Sequence, residues 1–554
     1  MNQIHPVDLF VFITYGISII SLGLWVSRSK KGHEKDSEDY FLAGKSLTWW
    51  AVGSSLIASN ISAEQYIGMS GSGYALGLGI ASYEFMAAAT LIIVGKFFLP
   101  IFISKGIFTM PQFLEMRYDS RVRTSLAIFW LVVYVFVNLT SVLWLGSLAL
   151  NTIVGVPILY GILGLALFSA VYSLYGGLMA VAWTDVVQVV VLIGGGIITT
   201  IIALNEVSQG QGFFEGLNIL YQKAGPDSIG SLQNHFDMII EKGVMTIPDG
   251  ENGMRDAWQD LPGLSVLIGG LWVANLFYWG CNQYITQRAL AAKSLDEAQR
   301  GMIFAGFLKL IVPLIVVIPG IAAYVLLNDP EYGLMQTESI DRSDEAYPWL
   351  LEKFVPVGLR GLAFAALIAA IVSSLSSMIN SISTIFTIDI YKPLINKKAS
   401  ERQLVFTGRL VATIALIIAC VTAEPLLGRL DQAFQYIQEF TGFVSPGILA
   451  IFLFGLFWKK ATPNAALWSA ILSVPFSIAF KYYLFPDMPF MNRMGFIFIL
   501  CALVLIGISN FESKGEDHPN AISINRKLFE TTPAFNAGAI TIVSILAVIY
   551  AVFY

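Results

Sequence analysis

The stretch SSLIASNISAEQYIGMSGSG, Ser54 to Gly73, decides how this chain folds. It sits in an apolar run long enough to cross a bilayer, about 49–74. Yet Ser54, Ser55, Ser59, Asn60, Ser62, Glu64 and Gln65 stand where a lipid-facing helix would carry an apolar stripe. A charged group at membrane depth costs roughly 3 kcal/mol or more unless it is paired or lines a water-filled path. A continuous helix facing lipid is therefore excluded, and a helix that breaks beside an internal site is expected. A second stretch repeats the pattern: LPGLSVLIGGLWVANLFYWGCNQY, Leu261 to Tyr284, is interrupted by glycine and carries Asn275, Tyr278 and Trp279 near its middle.

The surroundings of both stretches are those of a membrane protein. Of 554 residues 56% are hydrophobic and 13% charged, about half the charge of an average soluble domain. Apolar windows fall at about 9–27, 49–74, 79–104, 124–151, 157–175, 180–205, 262–284, 302–327, 358–390, 404–423, 432–458, 462–485, 493–511 and 534–554, which predicts an all-α polytopic fold of about 14 transmembrane helices. Lys and Arg crowd into alternate loops, among them Arg28 to Lys45, Lys105 to Arg123, Arg288 to Arg300 and Lys392 to Arg402. The positive-inside rule makes these cytoplasmic, with both termini extracytoplasmic in the cell (plasma) membrane. Leu9 to Ser27 is followed rather than preceded by its basic residues, so it reads as a retained span and not as a signal peptide.

Composition removes other classes of function. A net charge of −5 argues against a nucleic-acid partner. The three cysteines lie inside apolar runs and imply no disulfide framework, and the four histidines lie outside them, leaving no zinc cluster. No nucleophile and base pair at depth, so an enzyme is not expected. The glycines of GSGYALG (71–77) and GQGFFEG (210–216) lack the spacing and the strand–helix setting of a dinucleotide site and read as packing and loop glycines.

The two interrupted helices open two successive five-span blocks, 49–205 and 261–460. Five is odd, so the second block enters the membrane inverted. One helix and its loop precede them (1–48), a polar external loop with room for a short helix separates them (206–260), and three helices follow (461–554). Paired discontinuous helices in two halves mark inverted-repeat transporters, with sites beside the unwound backbone. Small residues packing helices together would be the plainer reading, but Glu64, Gln65 and Glu84 are not packing residues.

A third segment, FAALIAAIVSSLSSMINSISTIF (364–386), places Ser373, Ser374, Ser377, Asn380, Ser381 and Thr384 on one helix face. Such a stripe serves either as interhelical glue or as oxygen ligands for sodium. Asp185 admits two readings as well. It caps its own helix near the N-terminus, or it joins Ser373, Ser376 and Ser377 around a second sodium.

These segments, with DYFLAGKSLTWW (39–50), YGGLMAVAWTDVVQ (175–188), IGGLWVANLFYWGCNQYITQRALAAKS (268–294) and FQYIQEFTGFVSPGILAIFLFGLFWKK (434–460), resemble the sodium:solute symporter family, on its sodium/galactose and sodium/glucose branch. The resemblance covers nearly the whole chain. It implies a LeuT-type five-plus-five inverted repeat, with one helix before and three after, that imports a hexose-like sugar, galactose or glucose, with Na+ by alternating access. It implies a sodium site from the carbonyls of Ala58, Ile61 and Ala370 and the hydroxyls of Ser373 and Ser374. The sugar would meet Gln65, Glu84, Asn275, Lys309, Gln438 and Trp279, with Tyr278 as the cytoplasmic gate and Met69, Tyr83 and Phe434 as the outer one. Glu84 and Lys309 could equally form a structural ion pair. Ala87 stands where the galactose branch has a sugar-contacting Ser, and Ser376 where it has Ala, as in relatives with a second sodium site.

Overall fold

At Ile61 the second span stops being a helix. In the computed structural model, which describes residues 5–28, 36–62, 64–225, 234–248, 253–334, 338–340, 342–427 and 433–554, the helix Trp49–Asn60 ends where Ile61 turns extended (φ −77°, ψ 110°). The chain restarts through a capping box. Ser62 N–H donates to Gln65 Oε1 at 2.9 Å, and Glu64 N–H donates to Ser62 Oγ at 3.1 Å. The restarted half begins with a wide turn, Glu64–Met69, and continues as Ser70–Leu76.

The seventh span breaks in the same way. Gly270–Cys281, like Trp49–Asn60 a helix of 12 residues, ends at extended Asn282 (φ −82°, ψ 126°) and restarts as Gln283–Leu290. Backbone groups freed inside a membrane need a partner other than water. Here Tyr134, from the fourth span, accepts from Gln283 N–H at 3.0 Å and donates to Asn282 Oδ1. The eleventh span is also divided, into Ala433–Gly442 and Ser445–Phe457.

Eleven further helical stretches among the described residues are long and apolar enough to cross a membrane. That count joins the restarted half of the second span to the third, although Gly77 turns the chain between them at φ 71°. With the three divided spans, the fourteen expected segments are all helical. Burial sorts them. The apolar window of the ninth span, Leu359–Ile395, is 94% buried and that of the eighth, Leu295–Asn328, 78%, against 11% for the last, Pro533–Val552. The sixth span, Leu178–Val207, packs on the ninth, and the eighth packs on both halves of the second. Spans two, six, eight and nine are therefore the centre, and the last span faces lipid.

Gly77 also shows what the glycines of GSGYALG do. A Cβ there would strike the His235 carbonyl, to which Leu78 N–H donates at 2.6 Å. Gly77→Val is expected to lose about 1–2 kcal/mol or more from the positive φ and the collision. The thermal unfolding midpoint in detergent should fall well below that of Gly79→Ala, where a Cβ meets only ordinary contacts; equal midpoints would contradict the assignment.

The 206–260 loop holds the expected short helix, Phe213–Lys223. It also holds an antiparallel hairpin, Thr246–Pro248 with Met254–Asp256, where only loop and a short helix are expected. Strands of three residues are too short to show a period of two. Of the basic residues used for orientation, Lys30, Lys31 and Lys35 lie outside the described residues.

Candidate functional site

The break in the second span and the middle of the seventh line one cavity. Its walls include Asn60, Glu64, Gln65, Tyr83, Glu84, Asn275, Tyr278, Trp279, Lys309 and Gln438, and it holds about 70 Å³ in this conformation. Lys309 is its centre. The ammonium, 1% exposed, donates to Glu84 and to Asn60 Oδ1, and lies 5.1 Å from the centroid of the Trp279 ring. A buried carboxylate, amide and aromatic face thus surround one buried cation, which is how such a charge is made tolerable.

Asn60 hands this network on. Its Nδ2 donates to the Tyr278 hydroxyl at 3.0 Å, which lies 2.6 Å from the Tyr284 hydroxyl. Gln65 faces the cavity but spends its carbonyl oxygen on the capping box, accepting from Ser62 N–H and Oγ–H. Asn275 lines the cavity and donates to Leu271 O at 3.1 Å in its own helix. Met69 is fully buried and does not line the cavity. Phe434 lies on the helix Ala433–Gly442, but its side chain is outside those described.

On the other face of the same break lies the serine stripe. Ser374 Oγ donates to Ser59 O at 3.1 Å and reaches Ile61 O at 3.5 Å. It is therefore held against carbonyls that the extended backbone has freed. Ala58, Ile61, Ala370, Ser373 and Ser374 are all fully buried. Ser373 donates to Asp185 Oδ1 at 2.5 Å, which turns the lone pairs of its hydroxyl away from the carboxylate. Together these groups offer a hard cation neutral oxygens with one carboxylate behind them, a donor set that suits sodium.

Asp185 does not cap its helix. Leu178 is the first residue of that helix, so Asp185 stands in its third turn, and its oxygens reach across to Ser373 and to Ser55 Oγ at 2.5 Å. Of the four residues read as a second sodium site, only Asp185 and Ser373 are hydrogen-bonded to each other. Ser376 donates to Val372 O and meets the Tyr172 hydroxyl at 2.7 Å, while Ser377 meets Ser59 Oγ at 2.8 Å and accepts from Arg288. Ser376 and Ser377 lie within about 60° of Ser373 around the helix but one turn farther along it, where these other partners take up their hydroxyls.

Ser55, Asn60, Glu64, Tyr284 and Arg288 belong to this centre and were not singled out as site residues in the sequence. Four of them sit in quoted stretches whose polarity was the signal. Arg288 was counted with a cytoplasmic loop, because the Arg and Lys residues after it obscure that the seventh span runs on to Leu290 and buries it completely.

The profile of the Sodium:solute symporter family matches residues 40–473. The chain is 53% identical over 555 aligned residues to a sodium/glucose cotransporter of Vibrio parahaemolyticus, covering 99% of this chain and 98% of that one. It is 34% identical to a human sodium/myo-inositol cotransporter over 88% of this chain and 69% of the relative. Among solved structures it resembles an outward-open, substrate-bound Na+-coupled sialic acid symporter (TM-score 0.78, 24% identity, 92% of this chain and 98% of that one). It also resembles Mhp1, a nucleobase-cation-symport-1 family transporter (TM-score 0.54, 13% identity, 91% and 99%). The overall fold thus has counterparts among solved transporters, and the chain, a multi-pass membrane protein, belongs to the sodium:solute symporter family.

Proposed function

We propose that this protein is a sodium-coupled symporter that imports a hexose-like sugar, glucose or galactose, by alternating access. The observation that carries the reading is one helix break with two faces: freed carbonyls and Ser374 on one side, Asn60, Lys309 and Glu84 on the other. Ala58, Ile61 and Ala370 supply carbonyls and Ser373 and Ser374 hydroxyls to the sodium ion. Gln65, Glu84, Asn275, Lys309, Gln438 and Trp279 bind the sugar, whose hydroxyls both donate and accept. Tyr278 closes the site from the cytoplasm, and Met69, Tyr83 and Phe434 from outside. The membrane potential adds about 2.3 kcal/mol per charge per 100 mV to the sodium gradient.

The blocks 49–205 and 261–460 act as inverted repeats that rock about this fixed centre. The 12-residue first halves of their opening helices support that division. Both termini face out of the cytoplasm of a cell with this protein in its plasma membrane. A cysteine at exposed Phe214 should then react with an impermeant thiol reagent on intact cells, and one at Lys514 only after permeabilisation; the reverse would invert the topology.

Uptake of labelled glucose, galactose, myo-inositol and sialic acid into proteoliposomes tests the function. Saturable hexose uptake is expected under an inward sodium gradient and not when choline replaces sodium. Equal uptake in choline would overturn the reading.

The same preparation tests a second sodium ion on Asp185 with Ser373, Ser376 and Ser377. Ser376 and Ser377 would have to rotate toward the carboxylate. A sodium Hill coefficient above 1 that falls toward 1 in Ser376→Ala is expected, whereas a coefficient of 1 with one charge moved per sugar leaves Asp185 only its role in orienting Ser373 and Ser55.

A further inference from the structure

Arg288 is fully buried on the restarted half of the seventh span, and no carboxylate pairs with it directly among the described residues. A guanidinium can remain at such depth only where its donors are satisfied and its charge is answered nearby. Its Nη1 donates to the Tyr284 carbonyl, its Nη2 to Ser377 Oγ, and its Nε to Ser55 Oγ at 3.3 Å. Ser55 Oγ–H in turn donates to Asp185 Oδ2. The answering charge is therefore reached through a hydroxyl, across three different spans.

This places Arg288 between two sites. Toward the cations, Ser55 lies on the second span and Ser377 on the ninth, the two spans whose oxygens face each other at the helix break. Toward the sugar, Tyr284, whose carbonyl Arg288 holds, joins its hydroxyl to Tyr278, and Tyr278 continues through Asn60 to Lys309. A rigid fork of five donors can hold three acceptors in fixed relation, which an ammonium cannot.

We infer that Arg288 is a positioning residue that ties the sugar gate Tyr278 to the cation site, so that neither sodium nor sugar is released alone. The inference rests on the functional reading above. A sodium ion bridging the second and ninth spans keeps Ser55 and Ser377 side by side. Arg288 is then anchored at both, and the Tyr284–Tyr278 pair stays in place. When the two spans part, the anchors separate and the gate is freed. Coupling of this kind is reciprocal, so sugar under Tyr278 also holds the cation site together.

The test uses the full-length protein in proteoliposomes and three variants: R288Q, R288K and Y284F. Three quantities are read: sodium flux without sugar, the sodium-to-sugar ratio by reversal potential, and glucose binding. In R288Q, losing charged hydrogen bonds should raise sugar-free sodium flux by roughly tenfold or more. The coupling ratio should depart from wild type, while glucose still binds. R288K should recover part of the coupling, because charge returns without the fork. Y284F removes only the 2.6 Å hydroxyl link and should leak in the same direction, which keeps the inference testable if R288Q does not fold. Wild-type coupling in folded R288Q, or in Y284F if R288Q fails to fold, overturns the role of Arg288. Absence of sodium-driven glucose uptake in the wild type instead removes the functional reading, and this inference with it.

Discussion

Lys309→Met should cost about 3 to 5 kcal/mol of stability, because it leaves the Glu84 carboxylate buried without its cation. It should also weaken sugar binding by roughly 10- to 150-fold, the loss of a charged hydrogen bond. The pair distinguishes two roles that the geometry superposes. If Lys309 and Glu84 serve only to neutralise each other, Lys309→Met with Glu84→Gln removes both charges together and should restore stability and transport alike. If they bind sugar, the double variant should regain its thermal midpoint in detergent and still bind glucose poorly. Full recovery of glucose affinity in the double variant would refute the binding role. Asn60 and Trp279, which also hold the ammonium, are unchanged in every arm of this cycle.

Ser374→Ala should raise the sodium concentration for half-maximal uptake by roughly 5- to 150-fold, with glucose affinity at saturating sodium little changed. Among the described residues this hydroxyl is the one side-chain group reaching both Ser59 O and Ile61 O, so its removal takes away the ninth span's contact with the carbonyls at the break. Ser381→Ala is the matched control for this site, since Ser381 donates to Gln287 Oε1 and belongs to neither proposed sodium site. An unchanged sodium requirement in Ser374→Ala would place the ion elsewhere.

The sequence announced the breaks themselves because helix termination is local. Ser62 followed by Gln65 three residues on is a capping signal readable from four residues, and a polar run inside an apolar window cannot be a lipid-facing helix whatever surrounds it. Spans, their number and the facing of the serine stripe follow from hydropathy and the helical period, again within some twenty residues. Membership in the family was legible too, from motifs spread along nearly the whole chain.

Other features depended on distance in space. The second-sodium reading took Ser376 and Ser377 as neighbours of Asp185 because they are neighbours of Ser373 in sequence. Packing of the sixth span against the ninth presents only Ser373 to the carboxylate and brings Ser55, from a third span, to its other oxygen. Of the two sequence readings of Asp185, the cap fails because the helix begins at Leu178 and leaves Asp185 in its third turn, bonded across spans. Arg288 was assigned to a loop by its charge and was buried by the continuation of its helix past Asn282.

What the sequence by itself determined, then, are the properties that one segment has alone: which windows enter the membrane, where two of them must break, and which carry polar groups that need partners. What only the tertiary structure decided is who the partners are. Lys309 meets Asn60 and Glu84 across 249 and 225 residues of chain, and Arg288 reaches Ser55 across 233. Nothing local favours one distant acceptor over another. The choice is made when the spans pack and each helix rotation fixes which side chains face inward at the same depth, because an ionised group left without its partner there would be too costly to keep.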